Sequence, residues 1–226
     1  MDEVSGSRVR LRRGLLALSN LLLLVAVVLA AYPFVTDLVT RSRQRALAAE
    51  LPRVTPESVV STGAPVTPLD WVGWEAQDKA YWDGLPLGGP MGKLKIEAMD
   101  LETTVVKGAT TSTLRTGPGW IASTAMPGPE GTCGISGHRV TWLHPFKHID
   151  KVKKGDIIEF RSPYRVYTYR AVRSFVVTPD RTDVLKDTGT PKLVLTACHP
   201  WYSARYRLVV EADLEKVTRV GPKGSE

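Results

Sequence analysis

The chain has 226 residues, of which 43% are hydrophobic and 23% charged, enough to build one folded domain with additional segments. The formal net charge is +7, but seven arginines lie outside the region with domain-like composition, so this charge is not a property of the domain. They are Arg8, Arg10, Arg12, Arg13, Arg41, Arg43 and Arg45. The sequence lacks a basic patch interleaved with aromatic residues, which argues against a nucleic-acid reader, and we expect no nucleic-acid partner.

The first element in chain order is an apolar run. Residues 14–35 contain no charged residue and are long enough to cross a hydrocarbon core of about 30 Å as one helix. The arginines before the run predict a cytoplasmic basic tail over 1–13 and a domain on the outer side of the cell membrane. A cleaved signal peptide is the alternative, since Ala30 and Ala31 suit a peptidase. The length of the run and the bulky residues at its end favour a retained single-pass anchor in the lipid bilayer.

Residues 36–89 are predicted to connect the anchor to the domain. The mixed apolar and arginine pattern of 36–50 is typical of a helix that continues out of the membrane. Four prolines between residues 52 and 68 predict an extended stalk. Four aromatic residues then cluster in a polar segment, which predicts a helix packed on the domain. They are Trp71, Trp74, Tyr81 and Trp82.

From about residue 90 the pattern changes to short, strand-like segments separated by turn signals. The segments are 93–99, 103–108, 131–138, 155–162, 164–178, 192–198 and 205–214. Turns are predicted at 117–119 and 127–131, and one short helical turn within 144–152. Many short strands with regular turns indicate an all-β sandwich or closed barrel. We place this domain at 90–216 and a flexible tail at 217–226.

The two cysteines have different surroundings. Cys133 lies inside a glycine-rich strand and is predicted to be a buried structural thiol. Cys198 ends an apolar strand, where a barrel wall meets its rim. A partly exposed, electropositive position of this kind turns a thiol into a nucleophile. A disulfide between the two is the alternative in an exported domain, and it would indicate a non-catalytic binding or assembly module.

The histidines are also not equivalent. His138 follows a glycine at the end of a predicted strand, a position that suits proton transfer. His144 and His148 fall in a loop and a short turn, and we expect them at the surface. His199 adjoins Cys198, but neighbouring side chains of a strand point to opposite faces, so it is a poor partner for the thiol. The residues show no zinc-ligand spacing, and we expect neither a metal nor another cofactor.

Two arginines follow the second cysteine. Arg205 and Arg207 alternate within RYRLVV, which predicts that both project from one face of the next strand. If that strand pairs antiparallel with the strand of Cys198, a guanidinium lies near the thiol and can stabilise a thiolate or an oxyanion. A surface ion pair with Glu211 or Asp213 is the alternative.

Three separated motifs together resemble the sortases, cysteine transpeptidases of Gram-positive-type cell surfaces. SGHRVTWLHPF (136–146) is similar to their histidine motif, and LVLTACHPWYSARYRLVV (193–210) to their cysteine signature and arginine strand. GPGW (117–120) and TAMPGPEG (124–131) match the region that leads into the histidine strand. The segment CHPWYSAR (198–205) most resembles class E sortases. The resemblance to the family covers about residues 90–215.

The resemblance implies an eight-stranded closed β-barrel with short helices. It assigns Cys198 as the nucleophile, His138 as the general acid and Arg207 as the arginine that stabilises the transition state. Substrate contacts are expected from Arg205, Thr196 and Ala197. The implied reaction cleaves an LPxTG or LAxTG sorting signal after Thr through a thioacyl-enzyme. The surface protein is then transferred to an amine of a peptidoglycan precursor.

Two departures from the family pattern leave questions open. Ala197 stands where the family usually has Thr, which affects the substrate contacts expected there. Residues 96–106 lack the Tyr that class E members often carry for the alanine-type signal, so the choice between LPxTG and LAxTG is open. A hydrolytic cysteine peptidase that uses water as the acceptor is the alternative on the same barrel.

Overall fold

The long N-terminal helix, α1, covers Asp2–Glu50. The structure, a computed structural model, describes residues 2–52 and 71–220, with side chains from residue 12 onwards. The most apolar window of α1 has a mean hydropathy of 2.5 and is not buried against the rest of the protein, so the helix is apolar enough to cross a membrane. The predicted continuation of the helix over 36–50 is confirmed.

Two predicted segments fall wholly or partly on residues that the structure does not describe. The stalk predicted over 52–68 lies outside the described residues from residue 53 onwards. The last strand continues to Arg219, so the tail predicted over 217–226 begins within that strand. The remainder of the tail, 221–226, lies outside the described residues.

The aromatic segment before the barrel packs against the barrel as predicted. A π-helical turn, Glu75–Lys79, continues into the α-helix α2, Ala80–Gly84. Trp74 and Trp82 are buried, and the Trp82 indole donates a hydrogen bond of 2.8 Å to the carbonyl of Met91. Burying these indole rings removes a large apolar area from water and fixes the segment to the domain.

A buried ion pair holds the same segment. The Arg165 guanidinium donates to Asp78 Oδ2 at 2.9 Å, and the Tyr167 hydroxyl donates to the same oxygen at 2.7 Å. The two charged side chains are 1% and 0% exposed. Burial raises the pKa of Asp78, and the hydrogen bonds from Tyr167 and Arg165 act in the opposite direction.

Eight strands close into one barrel in the order β1-β2-β3-β4-β7-β8-β6-β5. The strands are β1 (Pro90–Ile96), β2 (Leu101–Lys107), β3 (Gly119–Trp120), β4 (Thr132–Ser136), β5 (Ile157–Arg161), β6 (Arg165–Val177), β7 (Lys192–His199) and β8 (Tyr206–Arg219). The eight-stranded closed barrel is confirmed. Closure leaves the sheet without a free edge and encloses one apolar core.

One strand was not predicted from its composition. β3 has only two residues, in a stretch whose GPG predicts a turn, yet it pairs in parallel with β2 and antiparallel with β4. Gly119 permits this pairing because a side chain there would collide with the backbone oxygen of Gly108. The turn predicted at 117–119 therefore ends one residue earlier.

Short helical pieces connect the strands. The α-helix α3, Thr111–Leu114, follows β2 and is capped by Thr110. Single 3₁₀ turns cover Glu97–Met99, Ile149–Lys151 and Thr182–Leu185. The second confirms the short turn predicted within 144–152, and the third lies in the connection between β6 and β7.

Candidate active site

The candidate site lies on the outer face of β7, at the strand's C-terminal end. Alternate side chains of β7 enter the interior cluster, namely Leu193, Leu195 and Ala197. Because side chains alternate along a strand, Thr196 and Cys198 lie on the opposite, outer face. Cys198 is half-buried and not in a disulfide. The sulfur therefore lies on the outside of the barrel wall.

An arginine faces Cys198 from the neighbouring strand. β7 and β8 pair antiparallel, and Cys198 is directly opposite Arg207. Directly opposed residues share a face, with Cβ atoms about 4.5–5.5 Å apart. The half-buried guanidinium donates to the carbonyls of Ala204 (3.1 Å) and Tyr206 (3.2 Å). These bonds fix a permanent positive charge at the start of β8, on the strand that pairs with the strand of the thiol.

Arg205 occupies a different environment from Arg207. β8 begins at Tyr206, so the expectation that both arginines project from one face of the strand is wrong for Arg205. Its exposed guanidinium lies 5.3 Å from the centre of the Tyr206 ring. Glu211, a predicted ion-pair partner, is bound instead by Arg173 at 2.7 Å.

His138 follows β4, the strand that pairs with β7 on the side opposite β8. β4 pairs in parallel with β7, with Ser136 opposite Thr196, and the Gly137 amide donates to the Thr196 carbonyl at 3.1 Å. Continuing this register by two residues places His138 level with Cys198. The predicted strand 131–138 is two residues too long at this end, since β4 stops at Ser136.

The surroundings of the His138 imidazole suit a group that accepts and donates protons. Its Nε2 atom is buried and makes no hydrogen bond within the described residues. Burial lowers the pKa of His138, and the nearby positive charge of Arg115 lowers it further. The ring is therefore neutral near pH 7, and its protonated form is a stronger acid than a free imidazolium.

A glycine makes the histidine position possible. A side chain at Gly137 would lie 2.7 Å from the ring of Phe146, which is fully buried. The Phe146 amide also donates to the His138 carbonyl at 3.0 Å. The glycine before the histidine thus admits a core aromatic ring, which fixes the backbone that carries the imidazole.

Arg139 and His199, which directly follow His138 and Cys198 in the chain, bind each other. Arg139 Nη1 lies 2.7 Å from His199 Nδ1, and its Nη2 donates to Asp150 at 2.8 Å. The Arg139 side chain is 3% exposed, and its guanidinium lies 5.7 Å from the centre of the Trp201 ring. His199 therefore has a structural role, because with Arg139 it ties the end of β7 to the segment after β4.

A cavity lies on the same outer barrel face as Cys198, further along β7. The connection between β6 and β7 folds over this face, where Thr132 donates to the Lys186 carbonyl at 3.1 Å. A cavity of about 400 Å³ lies between that connection and the outer side of the strands, with Val194, Phe175 and Val184 among its lining residues. Thr196, 8% exposed, lies on the same face between this cavity and Cys198.

The position of Ala197 corrects one predicted substrate contact. Its side chain is 2% exposed and belongs to the interior cluster. A hydroxyl at this position would enter the core, so residue 197 offers only its backbone to a substrate on the outer face. The absence of the family's usual Thr therefore removes no side chain from the outer face.

The other cysteine is separate from the site. Cys133 is 1% exposed and pairs with Leu193, five residues before Cys198 on β7. That offset is about 16 Å along the strand, which excludes a disulfide between the two thiols. Burial raises the pKa of the Cys133 thiol, as a buried structural cysteine requires.

The remaining histidines and acidic residues form no metal centre in the part of the chain that the structure describes. No group of three or more His, Cys, Asp or Glu side chains there is arranged to hold an ion. His144 and His148, expected at the surface, are half-buried in the loop after His138.

Comparison with known families identifies this arrangement. The Sortase domain family model matches residues 94–215, more than half of the chain. The chain belongs to the sortase family. The matched range contains the three site residues and every barrel strand in whole or in part.

Individual sortases show how far this similarity reaches. Sortase D of Bacillus subtilis is 29% identical over 115 residues, covering 50% of this chain and 57% of that protein. Sortase SrtE1 of Streptomyces coelicolor is 34% identical over 98 residues, covering 38% of this chain and 28% of that protein. The chain thus spans less than two thirds of either relative.

Solved sortase structures share the fold. Sortase E from Streptomyces avermitilis superposes with a TM-score of 0.55 at 26% identity, covering 62% of this chain and 98% of that one. A Streptomyces coelicolor sortase solved with a tripeptide in its active site gives a TM-score of 0.55 at 26% identity, covering 58% and 91%.

Sequence reasoning missed two residues of this sortase site. Arg115 lies 5.3 Å from the Trp142 ring, and its charge reaches His138. Arg139 binds His199 across the site. Arg115 lies outside the quoted motifs, and Arg139, although inside the histidine motif, has no partner that the motif indicates, so only the folded chain shows these contacts.

Proposed function

We propose that this sortase is a membrane-anchored cysteine transpeptidase in which Cys198, His138 and Arg207 act together. The observation that carries the proposal is the strand register. Cys198 lies directly opposite Arg207 on one side, and the continued parallel register brings His138 level with it on the other. We infer from this register that a thiol, an imidazole and a guanidinium act together at this end of β7.

Acylation begins at the sulfur of Cys198. The thiol attacks the carbonyl carbon of the substrate threonine, and His138 Nε2 accepts the thiol proton as the S–C bond forms. The Arg207 guanidinium stabilises the resulting oxyanion. Because its folded environment lowers the pKa of His138, the imidazolium readily protonates the glycine nitrogen. The C–N bond then breaks, leaving a thioacyl-enzyme and a free amine.

Deacylation reverses these roles with a second amine. An amine of a peptidoglycan precursor attacks the thioester carbonyl, and neutral His138 removes its proton. The intermediate expels the Cys198 sulfur, which recovers its proton from the imidazolium. The new peptide bond joins the surface protein to the cell wall, and the enzyme returns to its initial state.

The outer face of β7 and the cavity beside Val194 suggest how the sorting peptide lies. An extended pentapeptide of the LPxTG or LAxTG type is about 17 Å long, and Val194 to Cys198 spans about 13 Å of the outer face. We place the peptide along this face, with its threonine at Cys198 and its first residues towards the β6–β7 connection. Thr196 lies on its path, and exposed Arg205 borders the open end.

The anchor completes the proposal. The apolar part of α1 crosses the cell membrane once, with the basic N-terminal tail on the cytoplasmic side and the barrel outside. Its length, composition and exposure support this placement. Retention of the helix also keeps the enzyme on the same surface as its substrates.

A peptide-cleavage assay with matched variants tests the proposal. Cys198→Ala and His138→Ala should abolish cleavage of a sorting-signal peptide, and Arg207→Ala should lower kcat by about 10²–10³-fold, as for loss of an oxyanion donor. Cys133→Ala and His148→Ala provide the matched controls and should retain activity. Cleavage by Cys198→Ala would overturn the proposed mechanism.

The acceptor distinguishes transfer from hydrolysis. With an amine such as a peptidoglycan stem peptide present, the product should carry that amine on its threonine. If only the hydrolysed peptide forms and its rate is unchanged by the amine, the enzyme is a cysteine peptidase on the same barrel.

A further inference from the structure

Polar side chains in the last part of α1 contact the barrel domain. Asp37 accepts a hydrogen bond from the Leu143 amide at 3.0 Å. Thr40 is 1% exposed. The Gln44 side chain accepts from the Thr104 amide at 2.8 Å and donates to the Thr104 carbonyl at 3.1 Å. These three residues lie on one helical face, so α1 holds the barrel in a fixed orientation.

The position of each contacting residue along α1 gives its distance from the end of the apolar run. With a rise of 1.5 Å per residue, Asp37 lies about 3 Å beyond the end of the charge-free run at residue 35, and Gln44 about 14 Å beyond it. A headgroup layer extends about 5–8 Å beyond the hydrocarbon core. For a helix along the membrane normal whose apolar run ends at the edge of the hydrocarbon core, these heights put the Leu143 loop at headgroup level and the strand contacted by Gln44 above it.

The same end of the barrel carries exposed aromatic side chains. Trp201 and Tyr202, in the loop between β7 and β8, are 40% and 84% exposed. Lys147 Nζ lies 5.7 Å from the centre of the Trp201 ring, and the Lys147 amide donates to the His144 carbonyl. This loop therefore packs beside the segment that contains Leu143, towards the membrane end of α1.

We propose that this end of the barrel is a bilayer-facing surface, with Trp201 and Tyr202 inserted into the headgroup layer of an anionic phospholipid membrane. Tryptophan and tyrosine favour this layer because their rings are apolar with a polar edge. Lys147 and Arg205 add positive charge beside them, which attracts anionic headgroups. The proposal rests on the proposed anchoring by α1.

The orientation has a direct consequence for the enzyme. Cys198 lies three residues before Trp201 and His138 five residues before Leu143, so in this orientation both site residues lie at the membrane-facing end of the barrel. The part of the substrate that follows the threonine then lies at the membrane surface, while the residues before it extend along β7 away from the bilayer.

Depth-dependent fluorescence quenching tests the orientation. The full chain with Cys198→Ala receives one new cysteine, Tyr202→Cys, and an environment-sensitive fluorophore, while buried Cys133 remains unlabelled. The protein is reconstituted into phosphatidylcholine and phosphatidylglycerol vesicles with nitroxide lipids. Label at 202 should lose most of its emission. Label at Leu87→Cys, 64% exposed beside the distal part of α1, should keep it.

A third label separates the two proposals. Label at Leu24→Cys, within the apolar run, must be quenched by a nitroxide deep in the acyl region. If Leu24 is quenched but Tyr202 is not, or if Leu87 is quenched as strongly as Tyr202, the orientation is overturned and the anchor stands. If Leu24 is not quenched, the anchor fails and the orientation with it. Ala204→Cys, on the same exposed loop, replaces Tyr202→Cys if that variant does not fold.

Discussion

Substituting Arg139 tests whether its bonds to His199 and Asp150 stabilise the segments that carry the site residues. Its guanidinium binds His199 and Asp150 at 2.7 and 2.8 Å, and its side chain is 3% exposed. A hydrogen bond to a charged group contributes about 1.5–3 kcal/mol. Asp150 is 52% exposed and regains water when its partner is removed. We therefore expect Arg139→Met to lower the free energy of unfolding by about 2–4 kcal/mol.

The catalytic effect of the same position follows from geometry. Arg139→Lys keeps the charge, but one ammonium does not span the two partners that the guanidinium fork binds. The backbones of His138 and Cys198 lose their shared tie, and a displacement of about 1 Å lowers rates up to about 10²-fold. We expect kcat to fall by about 10–100-fold with little change in KM.

Steady-state kinetics on a sorting-signal peptide, together with urea unfolding, measures both effects. Arg170→Ala is the control, since Arg170 forms an exposed ion pair with Glu215 away from the site. If folded Arg139→Lys retains kcat within the range of this control, Arg139 does not position the catalytic residues.

Three further outcomes are expected. By NMR titration the pKa of His138 should lie below 6.5 and should rise in Arg115→Gln, because the neighbouring cation is removed. The lowered pKa also means that the free energy of unfolding decreases as the pH falls below 6.5, since the unfolded chain then binds the proton more readily than the folded chain. An unchanged pKa in the variant would contradict the role of Arg115. Asp78→Ala should lower the free energy of unfolding by about 3–5 kcal/mol by removing the carboxylate bound to buried Arg165, and a loss below about 1 kcal/mol in urea unfolding would refute this. Iodoacetamide should modify Cys133 only after unfolding, because burial raises its pKa; rapid native labelling at this residue would contradict its burial.

Much of the fold could be predicted from local patterns. The charge-free run and the strands from β4 to β8 carry their signals in consecutive residues, as hydrophobicity or alternation. β3 does not, because two residues cannot show a period, and its pairing depends on Gly119 meeting the backbone of Gly108. A strand that short is specified by its neighbours and not by its own composition.

The candidate site could be predicted only in part from the sequence, because some of its contacts also depend on distant segments. Cys198 and Arg207 lie on consecutive strands joined by a short turn, so their pairing follows from antiparallel register. Arg139 and His199 each lie in a recognisable motif, but the two motifs are distant in sequence and neither indicates that these side chains bind each other. Asp37 and Gln44 did carry a signal, a polar spacing of seven residues, but such a spacing equally predicts a solvated helix face.

Locating the acyl group on the trapped enzyme tests the central claim most directly. The protein is quenched in acid during turnover of a sorting-signal peptide, digested with trypsin and analysed by tandem mass spectrometry. The threonyl adduct should lie on Cys198, in the fragment 193–205. An adduct on Cys133, in the fragment 116–139, or turnover without any adduct on Cys198, would contradict the assignment of the nucleophile.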